Sequence, residues 1–360
     1  MSKLKLISWP VLVPPLASAV LWWASGAGLG TMAMLVCVSA LFAAVIAGVH
    51  HAEVVAHRLG EPLGTLVLAL TVTVIEAALI LALMMSGGPE KAVLARDSIF
   101  SAVMIICNGV MGICLLLGAL RHHVQSFRAE GAGPELAALI TLSTLVLVLP
   151  VFTTSAPEGV YSTRQLVFAA VVSLVLWAVF VFARTVRHRD YFLPETGLGD
   201  ADEHAVPPSN AETWLSFVLM LVSLVALIGL AKLLSSPAEA WIRAVGAPPA
   251  TIGILIAFVV LLPETSAAVR AALANRLQSS MNLAMGSALA SIGLTVPVVV
   301  VAAILFELPL VLGLAPKDLV LFALTAVVST VTLVTGRTNV THGAVHLVLF
   351  AVFVFLAFEP

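Results

Sequence analysis

The chain reads as an all-α polytopic membrane protein of about eleven transmembrane helices, and three observations carry that reading. Of its 360 residues 61% are hydrophobic and only 10% charged, and the mean hydropathy is +1.13; soluble domains lie far from this. The apolar runs are about 17 to 25 residues long, the length that carries a helix through a bilayer. They do not alternate, as the roughly 10-residue strands of a transmembrane barrel would.

Breaking the runs at charges, glycines and prolines predicts spans over 10–26, 31–49, 63–86, 97–119, 135–152, 164–184, 213–234, 249–270, 280–306, 317–335 and 341–358. The first follows Lys3 and Lys5 and resembles a secretory leader, but charge placement favours a retained helix with an irregular start at Pro10, Pro14 and Pro15. With the N-terminus in the cytoplasm, Lys3, Lys5, Arg58, Arg121, Arg128, Arg184, Arg187, Arg189, Arg270, Arg276 and Arg337 fall inside, and Lys91, Arg96, Arg164, Lys232, Arg243 and Lys317 outside. Basic residues concentrate on the cytoplasmic side of short loops, so this orientation is the expected one.

Residues 185–212 form the longest polar stretch. They hold Asp190, Glu195, Asp200, Asp202, Glu203 and Glu212 together with Pro194, Pro207 and Pro208, which reads as an acidic cytoplasmic linker. The expected organisation is a leading helix over 1–30, a five-helix repeat over 31–184, the linker, and a second five-helix repeat over 213–360. Five is an odd number, so the two repeats cross the membrane in opposite senses. Secondary transporters use this inverted plan, with the ion site near the midplane where the repeats meet.

The third and eighth spans carry the chemistry. Residues 63–85 hold one charge, Glu76, and residues 251–269 hold one charge, Glu264. An ionisable group at bilayer depth costs at least a few kcal/mol and marks a functional site by default. Aligned on the glutamates, Thr65-Leu66-Val67-Leu68-Ala69-Leu70 falls on Gly253-Ile254-Leu255-Ile256-Ala257-Phe258, two copies of one element. The spans that follow also pair, through Cys107-Asn108-Gly109 in one and Gly286-Ser287-Ala288 in the other. Each supplies one side-chain oxygen, Asn108 or Ser287, among small residues that also suit close helix contact.

Two carboxylates from oppositely inserted helices could share a cation, so Glu76 and Glu264 are the candidate metal ligands. Hard cations take six to eight oxygens. Further candidates are Asn108, Ser287, Thr73, and the carbonyl of Val259, which loses its helical partner because Pro263 has no N–H. Thr265 and Ser266 could add hydroxyls or bond back to their own helix. Desolvation favours the protonated carboxyl and a bound cation the ionised one, so protons and metal compete for the same oxygens. Such competition needs no cofactor, and no phosphate-binding loop is present. An intramembrane enzyme would need a nucleophile or metal-ligand motif that the sequence lacks; a passive channel would move ions without imposed proton movement.

Secondary features have plainer readings beside them. His50, Glu53, His57 and Glu61 recur at helical spacing at a cytoplasmic end; His50 and His57 could sense pH, or the group is a solvated helix end. His342 and His346, four apart, could share a metal or simply pack. Cys37, Cys107 and Cys114 have no C-x-x-C spacing and read as packing residues rather than disulfide or zinc partners.

Four stretches together resemble a known group: His51–Gly64 (HAEVVAHRLGEPLG), the two glutamate helices, Met281–Val298 (MNLAMGSALASIGLTVPV) and Thr335–Leu347 (TGRTNVTHGAVHL). They are similar to the calcium/cation antiporter superfamily, and within it to the bacterial cation/proton antiporters of the ChaA and calcium:proton type. The resemblance implies export of Ca2+, or of Na+ and K+, in exchange for protons, across a bacterial inner membrane, with the acid of each repeat as ligand; sodium/calcium exchange is the alternative. In the calcium/proton exchangers the glutamate closes a G-N-A-x-E motif, whereas Thr73 and Leu261 stand at the asparagine position here. The expected partners are these ions, protons and the bilayer, with homo-oligomerisation left open and neither nucleic acid nor nucleotide involved.

Overall fold

Among the described residues, eleven long helices follow one another where the apolar runs predict them. The computed structural model describes residues 8–26, 30–60, 63–86, 89–156, 159–187, 208–244, 246, 248 and 251–359. Lys3, Lys5, Glu61 and residues 188–207, the greater part of the expected acidic linker, lie outside the described residues. In chain order the helices are α1 Trp9–Gly26, α2 Thr31–Leu59, α3 Leu63–Met84, α4 Lys91–His122, α5 Ala129–Phe152, α6 Thr163–Arg187, α7 Asn210–Ala244, α8 Thr251–Leu273, α9 Leu277–Leu305, α10 Pro316–Val334 and α11 Val340–Phe358. At 1.5 Å per residue, 20 residues cover about 30 Å, the depth of a hydrocarbon core. The chain is a multi-pass membrane protein.

Local chemistry sets the ends. Asn339 caps α11, its Oδ1 accepting from the N–H groups of Thr341 at 3.0 Å and His342 at 3.2 Å. Ser162 and Gln165 form a reciprocal capping box at the start of α6. Gly60 ends α2 at φ +66°, a left-handed backbone that glycine adopts without a Cβ penalty. Several helices overrun the predicted spans: α2 continues ten residues beyond position 49 to Leu59, and α5 starts at Ala129, before Pro134. Pro134 falls in the second turn of α5, where it leaves the carbonyl of Glu130 without its helical N–H partner.

Three helices contain π-helical turns: Ile105–Val110 in α4, Thr144–Val148 in α5 and Ala183–Arg187 at the end of α6. The second is held from outside by Tyr161, whose hydroxyl donates to the carbonyl of Leu145 at 2.6 Å. Burial pushes the Tyr161 phenol above its usual range, keeping it a neutral donor. A two-residue antiparallel pair, β1 Gln125–Ser126 with β2 Arg337–Thr338, ties the start of α5 to the end of α10.

Contacts divide the chain into two units, residues 1–88 with 200–249, and residues 89–199 with 250–360. The first contains α1, α2, α3 and α7. Its helices approach closely at Gly48, where a Cβ would lie 3.4 Å from Ser223 Cβ. The second contains α4, α5, α6 and α8 to α11. Within it α4 and α9 are the core, 78% and 72% buried along their most apolar windows, against 28% to 44% for the unit's other spans. These two are the helices that follow the glutamate helices in the two repeats. Outer faces stay apolar, as with Phe168, Val175 and Val179 on α6, the pattern that lipid requires.

Candidate ion site

The first unit holds one half of the predicted ligand set. Glu76 and Thr73 sit one turn apart on α3 and are 3% and 2% exposed, although the segment around them is otherwise apolar. On the same helix the Thr71 hydroxyl donates to the carbonyl of Val67 at 2.8 Å, and near its end Ser86 shares a 2.7 Å hydrogen bond with Ser235 of α7. α3 therefore carries a buried carboxylate with one buried hydroxyl, that of Thr73, a turn away.

The second unit holds the other half. Here α8 packs against both α4 and α9, and α4 and α9 touch each other, so Glu264, Asn108 and Ser287 lie on three mutually packed helices. Gly253 makes this approach close, since a Cβ there would come within 2.8 Å of the Asp97 backbone on α4. Glu264 and Ser287 are partly exposed and Val259 is buried. α8 continues through Pro263, which leaves the Val259 carbonyl without its N–H partner four residues on. The hydroxyls of Thr265 and Ser266 bond back to their own helix, to the carbonyls of Leu261 and Pro263, each at 2.7 Å. Of the two readings open for them, helix-internal bonding is the one adopted.

Asn108 is held more tightly than its sequence suggests. It is fully buried within the π turn of α4. Its Nδ2 donates to Thr325 Oγ1 of α10 at 2.9 Å, and its Oδ1 lies 3.1 Å from His346 Nδ1 of α11. An amide oxygen can only accept, so His346 carries its proton on Nδ1 and leaves Nε2 to accept from the Thr332 hydroxyl at 3.1 Å. The spacing of His342 and His346 suggests a shared metal or packing; His346 instead bonds Asn108 through Nδ1 and Thr332 through Nε2. Among the described residues no group of three or more His, Cys, Asp or Glu side chains gathers.

The histidines at the end of α2 divide between two settings. His57 is exposed, while His50 lies partly buried between the rings of Trp9, at 6.0 Å, and His51, at 5.7 Å. His51 is buried, and its Nε2 donates to the carbonyl of Pro10 at 3.0 Å, so it fastens α1 to α2.

One acid escaped the sequence reading. Glu135 on α5 is fully buried and faces Arg184 of α6. Counting started the fifth span at Glu135, at its mouth, and placed Arg184 at the membrane edge. The earlier start of α5 and the π-helical continuation of α6 bring both inside the packed protein. The only signal was an acid directly before an apolar run, hidden by the Gly131-Ala132-Gly133-Pro134 segment that reads as a loop.

Comparison with known proteins fits this architecture. The sequence pattern of the family described as "Sodium/calcium exchanger protein" matches residues 27–186 and 215–359. The chain is 48% identical over 331 residues to y4hA of Sinorhizobium fredii (strain NBRC 101917 / NGR234), covering 91% of this chain and 89% of that one. It is 35% identical over 353 residues to the sodium-potassium/proton antiporter ChaA of Escherichia coli (strain K12), covering 97% and 95%. The crystal structure of the Ca2+/H+ antiporter protein YfkE is similar in fold, with a TM-score of 0.72 at 16% identity and 98% of each chain covered. With a family match over both halves and a relative more than a third identical along almost its whole length, this chain belongs to the sodium/calcium exchanger family of the calcium/cation antiporter superfamily.

Proposed function

We propose that the protein exports a cation from the cytoplasm in exchange for protons, with Glu76 and Glu264 as the groups that bind the two in turn. The observation that carries this reading is the duplication: each repeat has one otherwise apolar helix bearing a single carboxylate. Two carboxylates supply two negative charges. One Ca2+ cancels both, and so do two protons, so either loaded state could move through the low-dielectric interior at small electrostatic cost. The empty, doubly ionised site would be the costly one, which makes exchange obligatory. Asn108, Ser287, Thr73 and the Val259 carbonyl would complete an oxygen shell with water.

A second reading, exchange of Na+ or K+ for protons without calcium selectivity, has its own support. Thr73 and Leu261 replace the amide oxygens of the G-N-A-x-E pattern, leaving fewer side-chain ligands than a calcium ion uses. ChaA, the relative matched along nearly the whole chain, is named a sodium-potassium/proton antiporter. A bacterial inner-membrane location goes with the resemblance to the bacterial antiporters, and the distribution of Lys and Arg supports an N-terminus in the cytoplasm.

Reconstitution into vesicles holding a pH dye tests both readings. Adding Ca2+, Na+ and K+ in turn to vesicles with an acidic lumen should release protons with the transported ion and leave the dye unchanged with the others. Release by Ca2+ alone selects the first reading and release by Na+ or K+ alone the second. Silence toward all three would reject cation/proton exchange.

A further inference from the structure

We infer that Glu135 is a proton-binding site of the second unit, with Arg184 as a counter-ion that it engages and releases. Glu135 stands in the second turn of α5 with 0% exposure, yet among the described residues neither of its carboxyl oxygens has a hydrogen-bond partner. The Nη1 of Arg184 comes to 3.8 Å from Oε1, beyond hydrogen-bonding reach. That same Nη1 instead donates to the backbone carbonyl of Asn282 on α9 at 3.3 Å. The guanidinium rests in the notch above Gly286, where any Cβ would collide with it.

A buried ionised carboxylate requires either close pairing or several hydrogen bonds. Glu135 has neither in this arrangement, whereas the neutral acid at the same place carries a much smaller desolvation cost. The geometry therefore suits the protonated form. Loss of the proton would draw Arg184 toward a charge-assisted contact of about 2.8 Å, away from the Asn282 carbonyl. Asn282 and Gly286 lie five residues and one residue before Ser287, so proton occupancy at Glu135 is mechanically connected to the segment of α9 that leads into the candidate ion site. The last turn of α6 can follow the movement because Ala183–Arg187 is π-helical, with a wider hydrogen-bond ladder than an α-helix.

Among the described residues, Arg184 is the one charged group that reaches Glu135. α9 carries no titratable residue over Leu277–Leu305, and its nearby amides, Gln278 and Asn282, bond to each other at 2.9 Å. On α10, Lys317 and Asp318 are at the opposite end, because the β1–β2 pair joins the start of α5 to the end of α10. On α6, Arg187 is exposed one turn beyond Arg184, and on α5 itself Glu130 is exposed.

The role in transport rests on proton coupling as proposed above, but the site itself is measured without transport. Infrared difference spectra of the purified protein in vesicles, recorded across about pH 5 to 9 where buried glutamates titrate, should contain a protonated-carboxyl band that vanishes in E135Q. In R184Q, which removes the counter-ion, the same band should persist to a higher pH, by about one unit or more. A difference spectrum unchanged in E135Q overturns the assignment. Should E135Q not fold, an unshifted titration in R184Q overturns it equally. If the band titrates as expected while wild-type vesicles exchange no cation, the proton site stands and the exchange function falls.

Discussion

Asn108 illustrates how much one side chain can be asked to hold. Its amide joins α4 to α10 through Thr325 and to α11 through His346, all three side chains being buried. Truncating it removes the donor to the Thr325 hydroxyl and the acceptor for the His346 imidazole, each bond worth about 0.5–1.5 kcal/mol. Asn108→Ala is therefore expected to lower the thermal unfolding midpoint in detergent as well as cation affinity. Thr332→Val, which removes only the donor to the far nitrogen of His346, should lower stability by about 1 kcal/mol and leave the apparent KM for the cation near wild type. Equal effects of the two substitutions on KM would mean that Asn108 acts only as a structural brace. For the carboxylates, Glu76→Gln and Glu264→Gln should each abolish exchange in vesicles while the protein still elutes as a folded species. Wild-type flux from either variant would exclude that residue as a ligand.

At the scale of the helix, small residues and proline set the geometry. Gly343 of α11 meets α4 so closely that a Cβ would lie 2.5 Å from the backbone N of Leu116. Backbone cannot turn aside as a flexible side chain can, so Gly343→Ala should destabilise the protein by about 1–3 kcal/mol, in the range of overpacked cores. Gly133 of α5 has nothing within 4 Å of its Cβ position, and Gly133→Ala should be neutral or stabilising by up to about 1 kcal/mol. Parallel thermal melts of the two variants check the pair. Pro263 is the converse case. Pro263→Ala restores an N–H to the Val259 carbonyl and removes an interior proline worth about 3 kcal/mol of helix propensity, so stability should rise. If the Val259 oxygen takes part in ion binding, the same substitution should raise the apparent KM, and a more stable variant with unchanged transport would remove Val259 from the ligand set.

For the molecule as a whole, competition between protons and cation at common carboxylates fixes the sign of the pH dependence. Raising pH on the cation side deprotonates the carboxyls and should lower the apparent KM for the cation; lowering it should raise KM with little change in maximal rate at saturating cation. A KM independent of pH over three units would separate the two binding sites. Contacts group α1, α2, α3 and α7 apart from the other seven helices, so each unit takes helices from both repeats. The sequence division into two five-helix halves describes how the chain is duplicated, whereas contacts describe which helices pack.

The sequence by itself determined the number and order of the helices and singled out Glu76 and Glu264 as the lone acids of two apolar helices. Hydrophobic length and an isolated charge are local properties, and the bilayer imposes them on each segment independently. The spans at 63–86, 249–270 and 341–358 accordingly sit within a few residues of α3, α8 and α11. Only the tertiary structure decided that Asn108 would be bound to His346, 238 residues away, and that Glu135 would face Arg184. Those pairings depend on which helix faces meet, and an apolar helix in lipid has no strongly amphipathic pattern to announce its buried side. Helix ends were legible only where a cap such as Asn339 marks them. Elsewhere, as at the start of α5, packing extends a helix through a glycine- and proline-containing segment that local propensity alone would leave as a loop.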